Sequence, residues 1–185
     1  MATPSYRDFL KQDLGALIDA LSLSDLQKHF MRSRWLDQVL WLEKAAEDSQ
    51  RLYYALRLTA IVGGVIVPAL VSLNVGGDIA AYVRWATVAL SLIVAISSAV
   101  DGFFRYGDRW RHYRENAEAQ KIEGWHFLQL SGVYRRYAGY ADAYPLFANR
   151  VEELIQRDVA VYITQVVQEK REEKLEESKE ESHSQ

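Results

Sequence analysis

The sequence contains no cysteine, which removes disulfides, thiolate metal sites and cysteine nucleophiles at once. Only three prolines occur, Pro4, Pro68 and Pro145, so little in the chain opposes helix formation. A basic excess is missing too. The net charge is -3, whereas a nucleic-acid surface needs concentrated Lys and Arg, so no nucleic-acid partner is expected. Nor is there a GxxxxGK, GxGxxG, HExxH or GxSxG string, the signatures of phosphate loops, dinucleotide sites, zinc proteases and serine hydrolases. The most informative absence is local. No charged residue occurs from Leu58 to Gly77, and none from Trp85 to Val100.

Those two gaps set the architecture. A mean hydropathy of -0.19 is unremarkable for a soluble domain, but it averages two very apolar blocks with a polar remainder. Leu58–Val75 would rise about 27 Å as a helix, close to a hydrocarbon core of about 30 Å. It has no polar face, as a buried hairpin of a soluble protein would. Gly63, Gly64 and Pro68 are poor residues for a soluble helix and acceptable in a membrane span. Pro68 is expected to kink the span by leaving the Gly64 carbonyl without its donor. A turn at Asn74–Asp78 leads to a second span over about 80–104, flanked by Tyr82 and Trp85 at one end and Tyr106 and Trp110 at the other. The expected fold is an all-α membrane protein, a two-span hairpin whose helices extend into a cytoplasmic helical bundle.

Outside the spans the chain reads as helix almost throughout. Phe9, Leu10, Leu14, Leu17, Ile18 and Leu21 mark an amphipathic N-terminal helix over 1–23. Ser24 and Gln27 fit a capping box that starts a helix running without a stop from Asp25 into the first span. The second span is expected to continue past Arg114 to about Tyr137, with Gly139, Asp142 and Pro145 marking the break. A last amphipathic helix then carries Leu154, Ile155, Val159, Tyr162, Ile163 and Val166. The module 24–168 thus holds the hairpin and its extensions (spans about 58–75 and 80–104), and 169–185 is a charged tail expected to be disordered. The first twenty residues lack an apolar signal core, so the spans themselves are expected to direct insertion. Lys44, Arg51 and Arg57 before the first span, and Arg105, Arg109, Arg111, Arg114 and Lys121 after the second, place both termini in the cytoplasm of a multi-pass inner-membrane protein.

Thr87, Ser91, Ser98 and Asp101 recur on one face of the second span, with Ala95 on the same line. Such a stripe either packs helices closely or lines a water-filled path built by several copies. Two spans cannot enclose a path alone, so conduction would require a homo-oligomer. Glu123 and His126 form a Glu-x-x-His pair, but a di-metal site needs a second such pair and two further Glu on facing helices, and the other such string, Glu180–His183, falls in the charged tail. No metal or cofactor is expected, and Glu123 is expected to pair with a basic residue instead. Trp110, Arg114 and Glu118 share a face as structural contacts, an Arg–Glu pair covering a Trp.

Specific strings point to a family. Arg34-Trp35-Leu36-Asp37-Gln38-Val39-Leu40-Trp41-Leu42-Glu43 leads through Tyr53-Tyr54 into a Gly-Gly/Pro span. Trp110-Arg111-His112-Tyr113-Arg114-Glu115-Asn116-Ala117-Glu118 follows the second span, with Lys121, Glu123 and Trp125 beyond it. Over roughly Ser24–Ile163 the chain resembles the SLATT family, SMODS- and SLOG-associating two-transmembrane effectors, many of whose bacterial members carry domain of unknown function 4231. The resemblance implies a two-span hairpin with a cytoplasmic helical region and a role as a membrane effector that forms pores or perturbs the bilayer. No fused sensor domain is expected within these residues. The expected function is therefore a non-enzymatic, homo-oligomeric channel or pore gated through cytoplasmic helices. The alternative is a membrane-anchored scaffold that recruits a cytoplasmic partner.

Overall fold

The computed structural model describes residues 6–73 and 76–159 and is helical throughout, with no strand among them. The helices are α1 (Tyr6–Ala20), α2 (Asp25–Phe30), a π-helical turn (Met31–Leu36), α3 (Asp37–Ser72), α4 (Asp78–Phe104), α5 (Tyr106–Leu128) and α6 (residues 140–159), with a 3₁₀ turn at Gly132–Tyr134. Val75, Tyr162, Ile163, Val166 and the tail 169–185 lie outside the described residues. The chain divides into two compact units: Leu40–Glu115, and the remainder, Met1–Val39 with Asn116–Gln185.

In the discontinuous unit, Leu10, Leu14 and Ile18 are buried at four-residue spacing on α1, and Leu21 extends the stripe, whereas Phe9 is exposed. Ser24 caps α2 as its sequence suggests. Its hydroxyl accepts from the Gln27 backbone N–H and the Gln27 side chain accepts from the Ser24 N–H, a reciprocal capping box. The helix then runs unbroken from Asp25 to Ser72, through the π turn. That turn places Met31, Trp35 and Leu36 in the core. On α6, Ala143, Phe147, Val151 and Ile155 are buried at four-residue spacing, which aligns them along one face. Pro145 lies inside this helix, not before it, so the break expected at Pro145 falls earlier.

Two further boundaries differ from expectation. The second apolar helix does not continue to Tyr137. It stops at Phe104, because Arg105 adopts a left-handed conformation (φ 48°, ψ 46°) that ends α4 while its N–H still bonds the Asp101 carbonyl at 2.9 Å. Helix α5 restarts at once and ends at Leu128. Leu130 is again left-handed (φ 46°), and the Ser131 N–H to His126 O and Leu130 N–H to Phe127 O bonds complete a Schellman closure at 2.9 and 3.0 Å. A non-glycine residue in this conformation costs about 1 kcal/mol, so both breaks are held by their surroundings rather than by local preference.

Candidate functional site: an exposed apolar hairpin with a packed seam

Within the unit Leu40–Glu115, two helices are long and apolar enough to cross a membrane, ending at Ser72 and spanning Ile79–Phe104. Their most apolar windows are only 6% and 0% buried, which is the reverse of a soluble core helix. Val65, Val71, Ile79, Trp85, Leu92 and Phe103 all stand outward. What the hairpin does bury follows a heptad. Tyr53, Leu56, Ala60, Gly63, Val67 and Leu70 on α3, and Val83, Thr87, Leu90, Val94, Ser97 and Asp101 on α4, are buried or half-buried at that spacing, while Thr59, Ala80, Ser91 and Val100 are half-buried beside them. Alternating spacings of three and four, a period of 3.5, are what keeps one seam in register along a pair of helices.

Gly63 sets how closely the helices approach. A Cβ there would lie 2.1 Å from Val94 Cγ2, whereas a Cβ on Gly64 would meet nothing within 4 Å. The close contact therefore belongs to Gly63, and the contribution of Gly64 is limited to the carbonyl that Pro68 cannot serve. Helix α3 is continuous through Pro68, and Ser72 Oγ donates to the Pro68 carbonyl at 2.8 Å.

The polar stripe of α4 splits between two faces. Thr87 and Ser91 are half-buried, and each hydroxyl donates to a carbonyl of its own helix, Val83 O at 2.7 Å and Thr87 O at 2.8 Å. Asp101 belongs to the seam, its side chain 19% exposed and 4.0 Å from the Arg57 guanidinium of α3. Ser98 is exposed, and its neighbour Ser97 is the buried serine. The reason is periodic: a supercoiled seam repeats every 3.5 residues, so Thr87 and Asp101 fall on it while Ser98 lies one place aside. Ser91, Ala95, Ser98 and Gly102 form a second strip at 4-3-4 spacing, exposed apart from the half-buried Ser91.

Beyond the apolar segment the two long strings of the sequence meet. Arg114 donates to Glu43 at 2.8 Å, and Glu43 is buried. The Trp41 and Tyr113 rings meet edge-on at 5.7 Å, and Gly107 admits the Tyr53 ring, which a Cβ there would meet at 2.9 Å. Trp110 is half-buried, its indole N–H shielded from solvent without an acceptor among the described residues. Arg105 pairs with Asp108 at 2.9 Å.

The other unit carries the second concentration of polar chemistry. Trp35, fully buried, donates its indole N–H to the Gln120 carbonyl at 3.0 Å and lies on Gly124, where a Cβ would fall 1.9 Å from Cζ2. Phe147 meets Trp35 edge-on and stacks on Phe127 at 4.4 Å. Glu118 accepts from Lys121 at 2.8 Å. Glu123 has the basic partner expected of it: Arg150 forks onto both carboxylate oxygens at 2.6 and 2.8 Å, and the Tyr134 hydroxyl donates to the same group. Burial alone would raise the Glu123 carboxyl, but the bonds from Arg150 and Tyr134 outweigh it and hold it below the usual glutamate value. Burial and the adjacent carboxylate push the Tyr134 phenol up, and the hydrogen bond to Glu123 pushes the Arg150 guanidinium up. Among the described residues no group of three or more His, Asp or Glu is placed to hold a metal ion.

A family model described as "Protein of unknown function (DUF4231)" matches residues 37–141, more than half of the chain. This chain belongs to the DUF4231 family. The SLATT proteins are a DUF4231-containing group, in agreement with the resemblance carried by the Trp and Arg strings. The DUF4231 match is narrower than the span of that resemblance. It takes in both apolar helices, the Arg114–Glu43 pair and Glu123 with Tyr134, but leaves out Trp35 and Arg150. No curated protein and no solved structure matches the chain.

Proposed function

We propose that this DUF4231 protein crosses the bilayer twice and works as a non-enzymatic homo-oligomer whose assembled hairpins form a channel or permeabilising pore. The observation that carries the reading is the surface of the hairpin, with large apolar side chains standing outward along both helices and only Gly63 and Ser97 buried in its apolar segment. Such a surface is stable against lipid and costly in water. The strip Ser91, Ala95, Ser98 and Gly102 supports assembly, since small residues at helical spacing let a neighbouring span approach closely. On this reading Ser98 faces another copy or a shared path, while Thr87 and Asp101 stabilise the hairpin itself. Both termini are cytoplasmic, following the Lys and Arg bias of the flanks.

Two measurements test the proposal. The mass of the detergent-solubilised protein is expected to correspond to four or more copies, and planar bilayers containing it are expected to conduct. Ser98→Leu is expected to alter the conductance or the copy number, whereas Thr87→Val is expected to leave both unchanged. A monomer or dimer without conductance under any voltage would sink the pore reading and favour a membrane-anchored scaffold.

A further inference from the structure

The chain is acidic overall, with a net charge of -3, yet one cavity is lined by three arginines and a histidine and by no carboxylate residue. It lies in the discontinuous unit, has a volume of about 700 Å³, opens to solvent, and is lined by His126, Arg135, Arg136 and Arg150 together with Val133 and Leu146. Local structure brings these groups together. The Schellman closure ends α5 beside His126, and the left-handed Gly132 (φ 56°) turns the chain so that its α-carbon faces the His126 ring. The 3₁₀ turn Gly132–Tyr134 then delivers Arg135 and Arg136 to one wall. Arg150 arrives from α6, and Glu123 fixes its orientation.

The charges do not cancel. Arg150 is balanced by Glu123, with Glu153 also within electrostatic reach. Arg135 and Arg136 have no ion-pair partner among the described residues, and the Arg136 guanidinium lies over the Tyr137 ring at 5.2 Å. Gathering three guanidiniums around one concavity is repulsive unless an anion enters, and a concave, partly apolar wall strengthens the field felt by that anion. Guanidinium forks match the oxygens of a phosphate group bidentately, and the phosphate's charge, higher than a carboxylate's, suits a site holding several such forks. Arg150 also keeps three N–H donors that Glu123 does not use.

From this arrangement we infer that the cavity is an anion site for a phosphate group, with Arg135 and Arg136 as its principal ligands and Arg150 as a pre-oriented third. The group belongs either to a soluble phosphorylated molecule or to the headgroup of an anionic lipid, and the recognising chemistry is the same. The inference is independent of whether the hairpins conduct.

The full-length protein in detergent is titrated with inorganic pyrophosphate by calorimetry, and separately incorporated in nanodiscs containing phosphatidic acid for native mass spectrometry. Saturable pyrophosphate binding without retained lipid identifies a soluble ligand; retained phosphatidic acid alone identifies the headgroup. In either case the double variant Arg135→Gln/Arg136→Gln is expected to weaken binding by about tenfold or more. Both residues are exposed, so the variant should keep the wild-type circular dichroism spectrum and thermal midpoint. A charge-matched variant elsewhere, Arg51→Gln/Arg111→Gln, is expected to bind normally. Binding of neither probe, or equal loss in the two double variants, overturns the inference.

Discussion

The discontinuous unit and the apolar segment of the hairpin bury different kinds of residue. In the unit built from the N-terminal segment and residues 116 onward, the largest side chains go inside: Trp35, Tyr134, Phe127 and Phe147 are fully buried. In the apolar segment of the hairpin the large residues are exposed or only half-buried, and the buried positions are small, Gly63 and Ser97. Water drives the first arrangement, because burying an aromatic ring removes much apolar area from it. On the proposed membrane placement, the second gains little from hydrophobic burial and relies on close packing at the seam. One chain therefore contains two cores obeying different rules, and substitutions should tell them apart.

The sharpest contrast is between two glycines. Gly124→Ala drives a methyl into a buried indole ring that is itself held by Phe147 and the Gln120 carbonyl, and should cost about 3 kcal/mol. Urea unfolding followed by tryptophan fluorescence reads this loss; an unchanged midpoint would mean that Trp35 is not packed on Gly124.

Next is Glu123→Gln. It leaves Arg150 without its charge partner and should destabilise the same unit by about 2 kcal/mol, a value reduced because Arg150 is 39% exposed. The carboxyl is depressed in the folded state, so its contribution is present above the unfolded glutamate value and lost as pH falls through the folded one. Wild-type stability should thus decline below about pH 4, and the variant should lack that part of the decline.

A smaller effect is expected in the hairpin. Gly63→Ala meets one methyl of Val94, and because a β-branched side chain cannot swing far, the helices must part slightly, at about 1 kcal/mol. Gly64→Ala, into open space, should change nothing. Denaturation in mixed micelles is the appropriate measurement, since urea alone does not unfold apolar spans. The smallest effect belongs to Thr87→Val, whose lost hydroxyl served only its own helix, and which should stay within about 0.5 kcal/mol of wild type. A larger loss would place the threonine hydroxyl in a contact between copies.

Much of the fold was legible because its signals are one-dimensional. Charge-free runs, the Leu10–Leu14–Ile18 stripe and the Ser24–Gln27 cap depend only on spacing along one helix. The pairing of Glu123 with a cation was anticipated from its charge, but its partner lies on a different helix, a distance in sequence that spacing cannot see. Arg105 was invisible for another reason. Arginine has no preference for the left-handed region, so nothing at that position advertises the end of α4. The division of Thr87 from Ser98 was missed because a 3.6-residue period and a 3.5-residue period diverge only over several turns. The arginine-lined cavity draws on Arg135 and Arg136, adjacent residues with no recognisable motif, and on Gly132, whose left-handed backbone nothing in the sequence around it marks.

The left-handed Arg105 also acts as an index mark on the chain. Each residue added to an α-helix rotates everything after it by about 100°. Were α4 to wind on through Arg105, every later side chain of α5 would be turned to a new bearing, and Arg114 would no longer point at Glu43. A single backbone conformation thereby sets the rotational phase of the whole following helix.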